Sequence, residues 1–166
     1  MQEKNWPNFS KSLISKVSKI LNSGKINYTD GPYGIKFEKE FSKFVGNRYS
    51  IAICNGTAAL EVAIKSLKLP INSEIIVPAR SFFASASCIV NTGHIPIFAD
   101  VNLVTQNISI QDIKKKITKR TKAIICVHLG GMPCDMHSIK RLANKKKIKI
   151  IEDCSQAHGA SIDKKQ

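Results

Sequence analysis

Three short segments of the 166-residue chain place polar side chains directly after apolar runs. The first is "ICNGTAAL", in which Asn55 can cap a helix whose first free amides belong to Gly56, Thr57 and Ala58. Free amides and the helix dipole attract anions, and the Thr57 hydroxyl adds a donor suited to phosphate. The segment is neither GxGxxG nor GxxxxGK, so it indicates neither a dinucleotide fingerprint nor a P-loop. An ordinary capped helix is the alternative explanation, and this segment alone leaves both open.

The second segment, "VPARSFFASAS", places two aromatic residues at the start of a predicted helix. Ser81 can cap that helix, which puts Phe82 and Phe83 at its mouth. A phenyl ring in that position can offer its flat face to a planar ligand. The competing interpretation, and the commoner one for aromatic side chains, is that both rings belong to the core.

The third segment is "IIEDCSQAHGA", where Glu152 and Asp153 end an apolar run. A buried carboxylate at that place needs a cationic or hydrogen-bonding partner. One use for it is to hold a protonated pyridine nitrogen, which strengthens the ring as an electron sink. The alternative is an acid that caps the next loop or helix. Gln156 and His158 follow closely, and His158 is assigned no role.

Cysteine and histidine residues suggest two further chemistries, both weaker. A zinc site is conceivable because soft metal ligands lie close together in one stretch, although their spacing is not that of a zinc finger. The candidate zinc ligands are Cys126, His128, Cys134 and His137. A thiol nucleophile is the other alternative, with Cys54 or Cys154 paired with His128. Cys54 ends a predicted apolar strand, where burial would make its thiol inert.

The sequence around these segments alternates between short apolar runs, typical of strands, and stretches with apolar residues at helical spacing. The predicted strands are Tyr49–Cys54, Glu74–Val77, Ile95–Ala99, Lys122–Val127 and Ile148–Glu152. The predicted helices are Gly56–Leu67, Phe82–Asn91, Ile110–Thr118 and Met136–Lys146, with a capping box of Ser109 and Asp112 before the third and Asp135 as the cap of the fourth. Continuous apolar strands between helices predict an α/β fold with an open, mostly parallel, doubly wound sheet. Ligand sites in such sheets lie beyond the carboxyl ends of the strands, where all three segments fall.

Two helices precede this alternation. Residues 10–23 form an amphipathic helix with Ser10 as its cap, and its inward face is predicted to carry Leu13, Val17, Ile20 and Leu21. A second predicted helix begins near Ile35 and ends at Gly46, and one face of this helix carries Phe37, Phe41 and Phe44.

The composition is that of a globular protein, with 43% hydrophobic and 23% charged residues. No apolar run approaches the roughly 18–20 residues that span a bilayer, and the N-terminus lacks the apolar core of a signal peptide. We therefore expect a cytoplasmic protein with no membrane partner, in which the five cysteines are reduced thiols.

The basic residues are concentrated in one part of the chain. The net charge is +14, and twelve basic residues but a single acid lie between Lys114 and Lys149. Such a stripe can bind nucleic acid. Apolar residues at helical spacing separate these lysines, and no aromatic residues interleave with them to stack on bases. Solvated helix faces are therefore favoured over a nucleic-acid site.

Taken together, the segments resemble the DegT/DnrJ/EryC1/StrS family of pyridoxal-phosphate-dependent sugar aminotransferases. The resemblance covers residues 25–160 and rests on motifs in family order: "GPYGIKFEKEFSKFVG", "ICNGTAALEVAIKSL", "EIIVPARSFFASASCIVNTGHIPIFADVN", "ITKRTKAIICVHLGGMPCDM" and "IIEDCSQAHGA". It implies the transferase fold type I, with pyridoxal 5′-phosphate (PLP) as cofactor. It also implies an N-terminal helix over residues 1–24 and the N-terminal portion of the cofactor-binding large domain over residues 25–166, so that this large domain is incomplete and the C-terminal small domain is absent.

The resemblance implies roles at six positions of this chain. Gly56, Thr57 and Ala58 would contact the cofactor phosphate. Phe82 would stack on the pyridine ring, Asp153 would pair with the ring nitrogen, and Gln156 would lie near the ring hydroxyl.

One feature of the family has no match in this chain. The family forms its Schiff base on a lysine beyond the last motif, in a stretch resembling "FSF…K", and Lys164 and Lys165 follow that motif too closely to match it. The resemblance therefore predicts an N-terminal fragment, inactive alone, of a homodimeric aminotransferase. The complete enzyme would move an amino group from glutamate onto a keto-sugar nucleotide in polysaccharide biosynthesis. The alternatives are a non-catalytic cofactor-binding or interaction protein derived from this family and, less favoured, a basic nucleic-acid-binding α/β domain.

Overall fold

The structure is a computed structural model and describes residues 7–163. The two lysines that follow the last motif, Lys164 and Lys165, lie outside the described residues. The chain divides into two compact units, residues 1–52 and 53–166. Among residues 7–163, no helix is both long enough and apolar enough to cross a membrane.

The first unit contains two helices, α1 (Lys11–Asn22) and α2 (Tyr33–Phe44). Ser10 caps α1 as predicted, because its hydroxyl accepts the Leu13 N–H at 3.2 Å. The aromatic face of α2 is also confirmed. The Phe37 and Phe41 ring centroids lie 5.7 Å apart, and those of Phe41 and Phe44 lie 6.2 Å apart.

The apolar stripe of α1 does not face a core within this unit. None of residues 7–52 is buried. The most exposed members of the stripe include Leu13, Val17 and Leu21, which are between 45% and 61% exposed. The prediction that this stripe points inward is therefore wrong for the unit, because two short helices carry too few apolar residues to enclose a core.

The second unit contains four parallel strands in the order β2-β1-β3-β4. The strands are β1 (Glu74–Pro78), β2 (Ile95–Ala99), β3 (Thr121–Val127) and β4 (Lys149–Asp153). The helices are α3 (Gly56–Ser66), α4 (Ala84–Asn91), α5 (Ile110–Lys116) and α6 (Met136–Lys146), with a single 3-10 turn at Leu129–Gly131. The predicted open, parallel α/β sheet is confirmed.

Side chains alternate across the sheet, and each face has its own core. On one face Ile75, Val77 and Ile125 are fully buried in a cluster with residues of α3 and α4. On the other face Ile76 and Ile124 are fully buried in a cluster with residues of α5 and α6. Helices on both faces explain why the strands are apolar at consecutive positions rather than at alternate ones.

The predicted strand at Tyr49–Cys54 is wrong. Residues 49–54 form no strand, and Tyr49 and Ile51 are 73% and 78% exposed. The β propensity of these residues has no effect here, because a strand needs a hydrogen-bonded neighbour and residues 49–54 pair with none of the four strands of the sheet. The consequence for Cys54 is that its thiol is exposed instead of buried.

The helix starts follow the predictions in part. The Asp135 carboxylate caps α6 by accepting the Ser138 N–H at 3.1 Å. Ser109 caps α5, but the reciprocal half of the predicted capping box is absent, because the Asp112 carboxylate accepts the Asp100 N–H at 2.8 Å instead.

Ser81 is not the cap of α4, which begins later than predicted, at Ala84. The Ser81 hydroxyl lies 2.8 Å from the Ser85 hydroxyl oxygen, inside the first turn of that helix. The serine is therefore available to a side-chain network rather than to the helix terminus.

The basic residues of α5 and α6 lie on exposed faces, as predicted. Lys114, Lys115 and Lys116 are exposed whereas Ile113 is fully buried. The same division holds in α6, where Ile139 is fully buried and the lysines are exposed.

A buried carboxylate joins the beginnings of β1 and β3. Glu74 is 5% exposed, and its Oε1 accepts two hydrogen bonds from the Arg120 guanidinium, at 2.9 and 2.8 Å. Its Oε2 accepts the hydroxyls of Thr118 and Thr121. The Thr118 hydrogen bond, followed by those of Arg120, holds the pKa of Glu74 below its usual value. All four donors depend on a negative charge at this position.

We expect Glu74→Gln to lower the free energy of unfolding by roughly 1.5–3 kcal/mol at neutral pH, because the substitution removes charge-assisted hydrogen bonds from a buried group. Since the folded-state pKa of Glu74 lies below its usual value, this contribution is present above the usual pKa. It is lost as the pH falls through the folded-state pKa. Urea unfolding followed by circular dichroism at neutral and acid pH measures both effects.

The matched control is Glu40→Gln, because Glu40 forms an exposed ion pair with Lys36 across one helical turn at 3.8 Å. We expect a change within about 0.5 kcal/mol for that variant. A difference in stability between the wild-type chain and Glu74→Gln that stays constant from neutral to acid pH would contradict the assignment.

Candidate functional site

A cavity of about 270 Å³ lies at the carboxyl edge of the sheet, on the face covered by α3 and α4. Its walls come from the first turns of α3, the loop between β1 and α4 with the first residue of α4, the end of β3, and the end of β4 with the residues that follow. Five of the six predicted cofactor-binding residues line it, namely Gly56, Thr57, Phe82, Asp153 and Gln156. The remaining lining residues are Leu60, Ser81, Ala84, Val127 and Ser155. The fold thus brings together positions that are about 100 residues apart in the chain.

The first turn of α3 supplies the amides of the site. Asn55 caps the helix as predicted, and its carboxamide oxygen accepts the Ala58 N–H at 2.9 Å. That amide is therefore occupied, and Ala58 is not among the residues that line the cavity. Gly56 and Thr57 precede it in the helix, where N–H groups have no partner inside the helix. These two amides and the Thr57 hydroxyl are the donors that an anion in this cavity can use.

Phe82 lines the cavity and is 73% exposed, and its neighbour Phe83 is 78% exposed. The interpretation of both rings as core residues is therefore wrong. An exposed phenyl ring beside a cavity has a free face, and a planar ligand that covers it removes apolar surface from water.

Asp153 ends β4, and its carboxylate is held by serine donors. The Ser155 hydroxyl donates to Oδ1 at 2.6 Å and the Ser155 N–H donates to the same oxygen at 3.1 Å. The hydroxyl of Ser85, a residue that is 1% exposed, lies 3.4 Å from Oδ2. These contacts fix the orientation of the carboxylate and leave lone pairs for a donor on a ligand.

Gln156 also lines the cavity, in the loop after β4. Its side-chain oxygen accepts the Gly130 N–H at 2.7 Å. The residue is exposed, so this hydrogen bond fixes the direction of a side chain that would otherwise have several rotamers.

Glu152, the other carboxylate of the third segment, belongs to the opposite face of the sheet. Its Oε2 lies 3.2 Å from His128 Nε2, and its Oε1 lies 3.6 Å from Lys140 Nζ. His128 Nδ1 accepts the Cys134 N–H at 3.0 Å, so Nε2 carries the proton that is donated to Glu152. The hydrogen bond from His128, together with the nearby Lys140 ammonium, holds the pKa of Glu152 below its usual value.

The zinc hypothesis finds no support in the part of the chain that the structure describes. Within residues 7–163, no group of three or more histidine, cysteine, aspartate or glutamate side chains could hold a metal. Both ring nitrogens of His128 are hydrogen-bonded, and burial raises the pKa of the Cys126 thiol well above its usual value. Cys154 is exposed and lines a second cavity with His128, on the Glu152 face of the sheet.

The sequence reasoning missed two of the polar residues around the cavity. Ser155 lies inside the third segment and Ser85 inside the second, but neither was identified as a partner of Asp153. Ser85 lies one helical turn after Ser81, and this spacing is the signal that could have identified it. The contact of Ser85 with Asp153 spans 68 positions and leaves no local pattern.

The residues of the cavity can bind an anionic group, a planar ring and a polar group on that ring. A parallel α/β sheet with such a cavity at its carboxyl edge is typical of ligand-binding proteins of the doubly wound class. Comparison with known proteins narrows this class to a family.

The DegT/DnrJ/EryC1/StrS aminotransferase family matches residues 7–166. A curated relative, the dTDP-3-amino-3,6-dideoxy-alpha-D-galactopyranose transaminase of Aneurinibacillus thermoaerophilus, is 38% identical over 158 residues, covering 95% of this chain and 43% of that protein. The crystal structure of an aminotransferase from Psychrobacter cryohalolentis is 44% identical with a TM-score of 0.92, covering 95% of this chain and 40% of that chain.

A third protein similar to this chain is NtdA of Bacillus subtilis, whose crystal structure contains the bound cofactor PMP. It is 37% identical with a TM-score of 0.84, covering 89% of this chain and 34% of that chain. The chain therefore belongs to the DegT/DnrJ/EryC1/StrS aminotransferase family, and it spans about two fifths of the length of its relatives. Its fold is that of the corresponding part of these aminotransferases, which confirms the predicted fold class.

We expect Lys140→Met to raise the pKa of Glu152, because the substitution removes the ammonium group 3.6 Å from the carboxylate and keeps most of the aliphatic side chain. The change is measured by a carbon-13 NMR titration of the glutamate carboxyl groups. Lys145→Met, on the exposed surface of the same helix, is the control and should leave the Glu152 titration unchanged. An unchanged titration in Lys140→Met would contradict the ion pair.

Proposed function

We propose that the protein to which this chain belongs is a PLP-dependent aminotransferase, and that this chain supplies much of the cofactor site. The observation that carries the proposal is the cavity itself. It combines the first amides of α3, the exposed Phe82 ring, the oriented Asp153 carboxylate and the fixed Gln156 side chain. The membership in an aminotransferase family and the PMP bound in NtdA support the same cofactor.

The residues present fit a phosphorylated pyridine ring. The Gly56 and Thr57 amides and the Thr57 hydroxyl would hold the phosphate at the positive end of the α3 dipole. The Ala58 amide would not hold the phosphate, because it already donates to the Asn55 side-chain oxygen. Phe82 would cover one face of the ring, since its own side chain is exposed beside the cavity.

Asp153 and Gln156 would orient the ring. Asp153 would accept a hydrogen bond from the protonated pyridine nitrogen, and its contacts with Ser155 and Ser85 would keep its oxygens in place. Gln156 would lie near the ring hydroxyl. When bound, PLP supplies a carbonyl group and an electron-withdrawing ring, which carry an amino group from a donor to an acceptor. Asp153 and Gln156 would orient this group, and Gly56, Thr57 and Phe82 would bind it.

We propose further that the lysine that binds the cofactor covalently is not among these 166 residues. Among residues 7–163, no lysine lines the cavity. The chain also spans about two fifths of its relatives. By this proposal the chain alone binds PLP reversibly and does not transfer amino groups, and the remaining parts of the site come from residues outside it.

The resemblance to this family also suggests the substrate, the amino donor and the assembly of the complete enzyme. The proposed acceptor is a keto-sugar nucleotide, since a similar protein is named as a transaminase of a dTDP-sugar. The proposed donor is glutamate, and the proposed assembly is a homodimer, supported by the exposed apolar residues of α1. Five free cysteines support a cytoplasmic location, where thiols stay reduced.

We expect the purified chain to bind both PLP and its amine form, pyridoxamine 5′-phosphate, because both present the same phosphate and ring. Titrations followed by cofactor absorbance and protein fluorescence measure the dissociation constants. Asp153→Ala should weaken binding by about 10- to 100-fold, the effect of losing one charge-assisted hydrogen bond. Thr57→Val should weaken it by about 5- to 10-fold through the loss of one hydroxyl donor.

The controls are Thr29→Val and Asp30→Ala, which change exposed residues outside the cavity and should leave binding unchanged. Borohydride treatment followed by intact-mass spectrometry tests for a covalent bond. Stoichiometric reduction of PLP onto one lysine would contradict the absence of the covalent lysine. A chain that is folded by circular dichroism but binds neither cofactor form would contradict the proposed function.

A further inference from the structure

A buried asparagine outside the cavity controls the shape of the loop that contacts Gln156. Asn107, in the loop between β2 and α5, is 4% exposed. Its side-chain Nδ2 donates to the Met132 carbonyl at 2.8 Å, and its Oδ1 accepts the Leu129 N–H at 3.1 Å. We call this pair of hydrogen bonds the Asn107 bridge. It joins both ends of the 129–132 turn, which follows β3, to a separate loop.

The turn held by this bridge contains two glycine residues and has few hydrogen bonds of its own, from the Gly131 N–H to the His128 carbonyl at 3.4 Å and from the Met132 N–H to the Leu129 carbonyl at 3.1 Å. Gly130 and Gly131 adopt left-handed backbone conformations, with φ values of 62° and 85°. Glycine adopts such conformations without steric cost, but it also has the largest conformational entropy in the absence of restraints. The Asn107 bridge adds a restraint from outside the turn, and because Asn107 is buried, an unmade hydrogen bond would leave a polar group unsatisfied.

The restrained turn contacts the segment that carries Gln156. The Gly130 N–H donates to the Gln156 side-chain oxygen at 2.7 Å. A side-chain carbon added at Gly131 would lie 3.3 Å from the Gln156 backbone oxygen, so the two segments are also close at the backbone.

This contact decides which end of the Gln156 amide a ligand meets. A backbone N–H can only donate, so the atom that faces Gly130 is the oxygen of the Gln156 amide. The group that Gln156 can then offer to a ligand is its NH₂. A donor suits an oxygen on a cofactor ring, whereas the reversed amide would present an acceptor to it.

We propose that Asn107 is a positioning residue for the cofactor site, one that acts through the 129–132 turn to keep the Gln156 NH₂ group directed at the ring oxygen of the ligand. This inference rests on the proposed function, because it assigns Gln156 to a PLP ring. It adds a residue that does not line the cavity and that the family motifs quoted above do not assign to the cofactor.

The test is a double-mutant cycle on the full chain, with PLP as the probe. We expect Asn107→Ala to weaken PLP binding by about 3- to 10-fold, the effect of one neutral hydrogen bond, and Gln156→Ala to weaken it by at least as much. If Asn107 acts through Gln156, the double variant should bind PLP no more weakly than Gln156→Ala alone. The matched control is Asn144→Ala, an exposed asparagine on α6, which should not change binding.

A second probe separates positioning from general destabilisation. The probe is 3-deoxypyridoxal 5′-phosphate, which lacks the ring oxygen. We expect Asn107→Ala to change its binding by less than about twofold, since the oxygen that the Gln156 NH₂ group would meet is absent from this probe. Equal weakening for both probes, or additive effects in the double variant, would overturn the proposal.

Asn107→Asp covers the case in which the alanine variant does not fold. The aspartate keeps the acceptor for the Leu129 N–H and loses the donor to the Met132 carbonyl. In this variant we expect faster hydrogen exchange at the Gly130 amide, together with the same selective weakening of binding for PLP over 3-deoxypyridoxal 5′-phosphate. Unchanged exchange and unchanged PLP binding would overturn the inference alone. A wild-type chain that binds no PLP would overturn the proposed function, and this inference with it.

Discussion

The parallel alignment of the four strands is the constraint on which the site depends. All four strands end at the same edge of the sheet, so the residues that follow β1, β3 and β4 are brought together although they are distant in the chain. The alignment is possible because helices cover both faces and bury consecutive apolar side chains. Glu74 strengthens the opposite edge, where it joins the beginnings of β1 and β3. A change in register between these two strands would move the β1–α4 loop relative to Asp153 and separate the walls of the cavity.

Side-chain alternation in β4 gives two neighbouring carboxylates different roles. Glu152 lies on the face covered by α6 and is occupied by His128 and Lys140. Asp153 lies on the opposite face, where serine donors orient it beside the cavity without neutralising it by a cation. Glu152 is thus paired with other residues of the fold, whereas Asp153 is held by serine side chains beside the cavity. These two adjacent acids therefore have different partners, because a strand directs successive side chains to opposite faces of the sheet.

Hydrogen bonds between loops from different parts of the chain help to shape the cavity. The glycine-containing turn after β3 is held by Asn107 from the loop after β2, and it in turn holds Gln156 in the loop after β4. Each of these hydrogen bonds joins segments that are at least 22 positions apart. The cavity wall is thus restrained by contacts between loops, in addition to the strands from which the loops begin.

The amino-acid sequence is sufficient to predict the parallel α/β class, the bounds of most helices and strands, and five of the residues that line the cavity. These features follow from local signals: apolar periodicity, helix caps and polar residues at strand ends. The absence of a strand at residues 49–54 and the exposure of Phe82 beside the cavity could not be predicted from these local signals. The same holds for the hydrogen bonds of Ser85 with Asp153 and of Asn107 with the turn that contacts Gln156, which are seen only in the folded chain. The physical reason is that a strand needs a paired neighbour and a buried polar group needs a partner, and both are chosen by the folded chain from residues far away in the sequence.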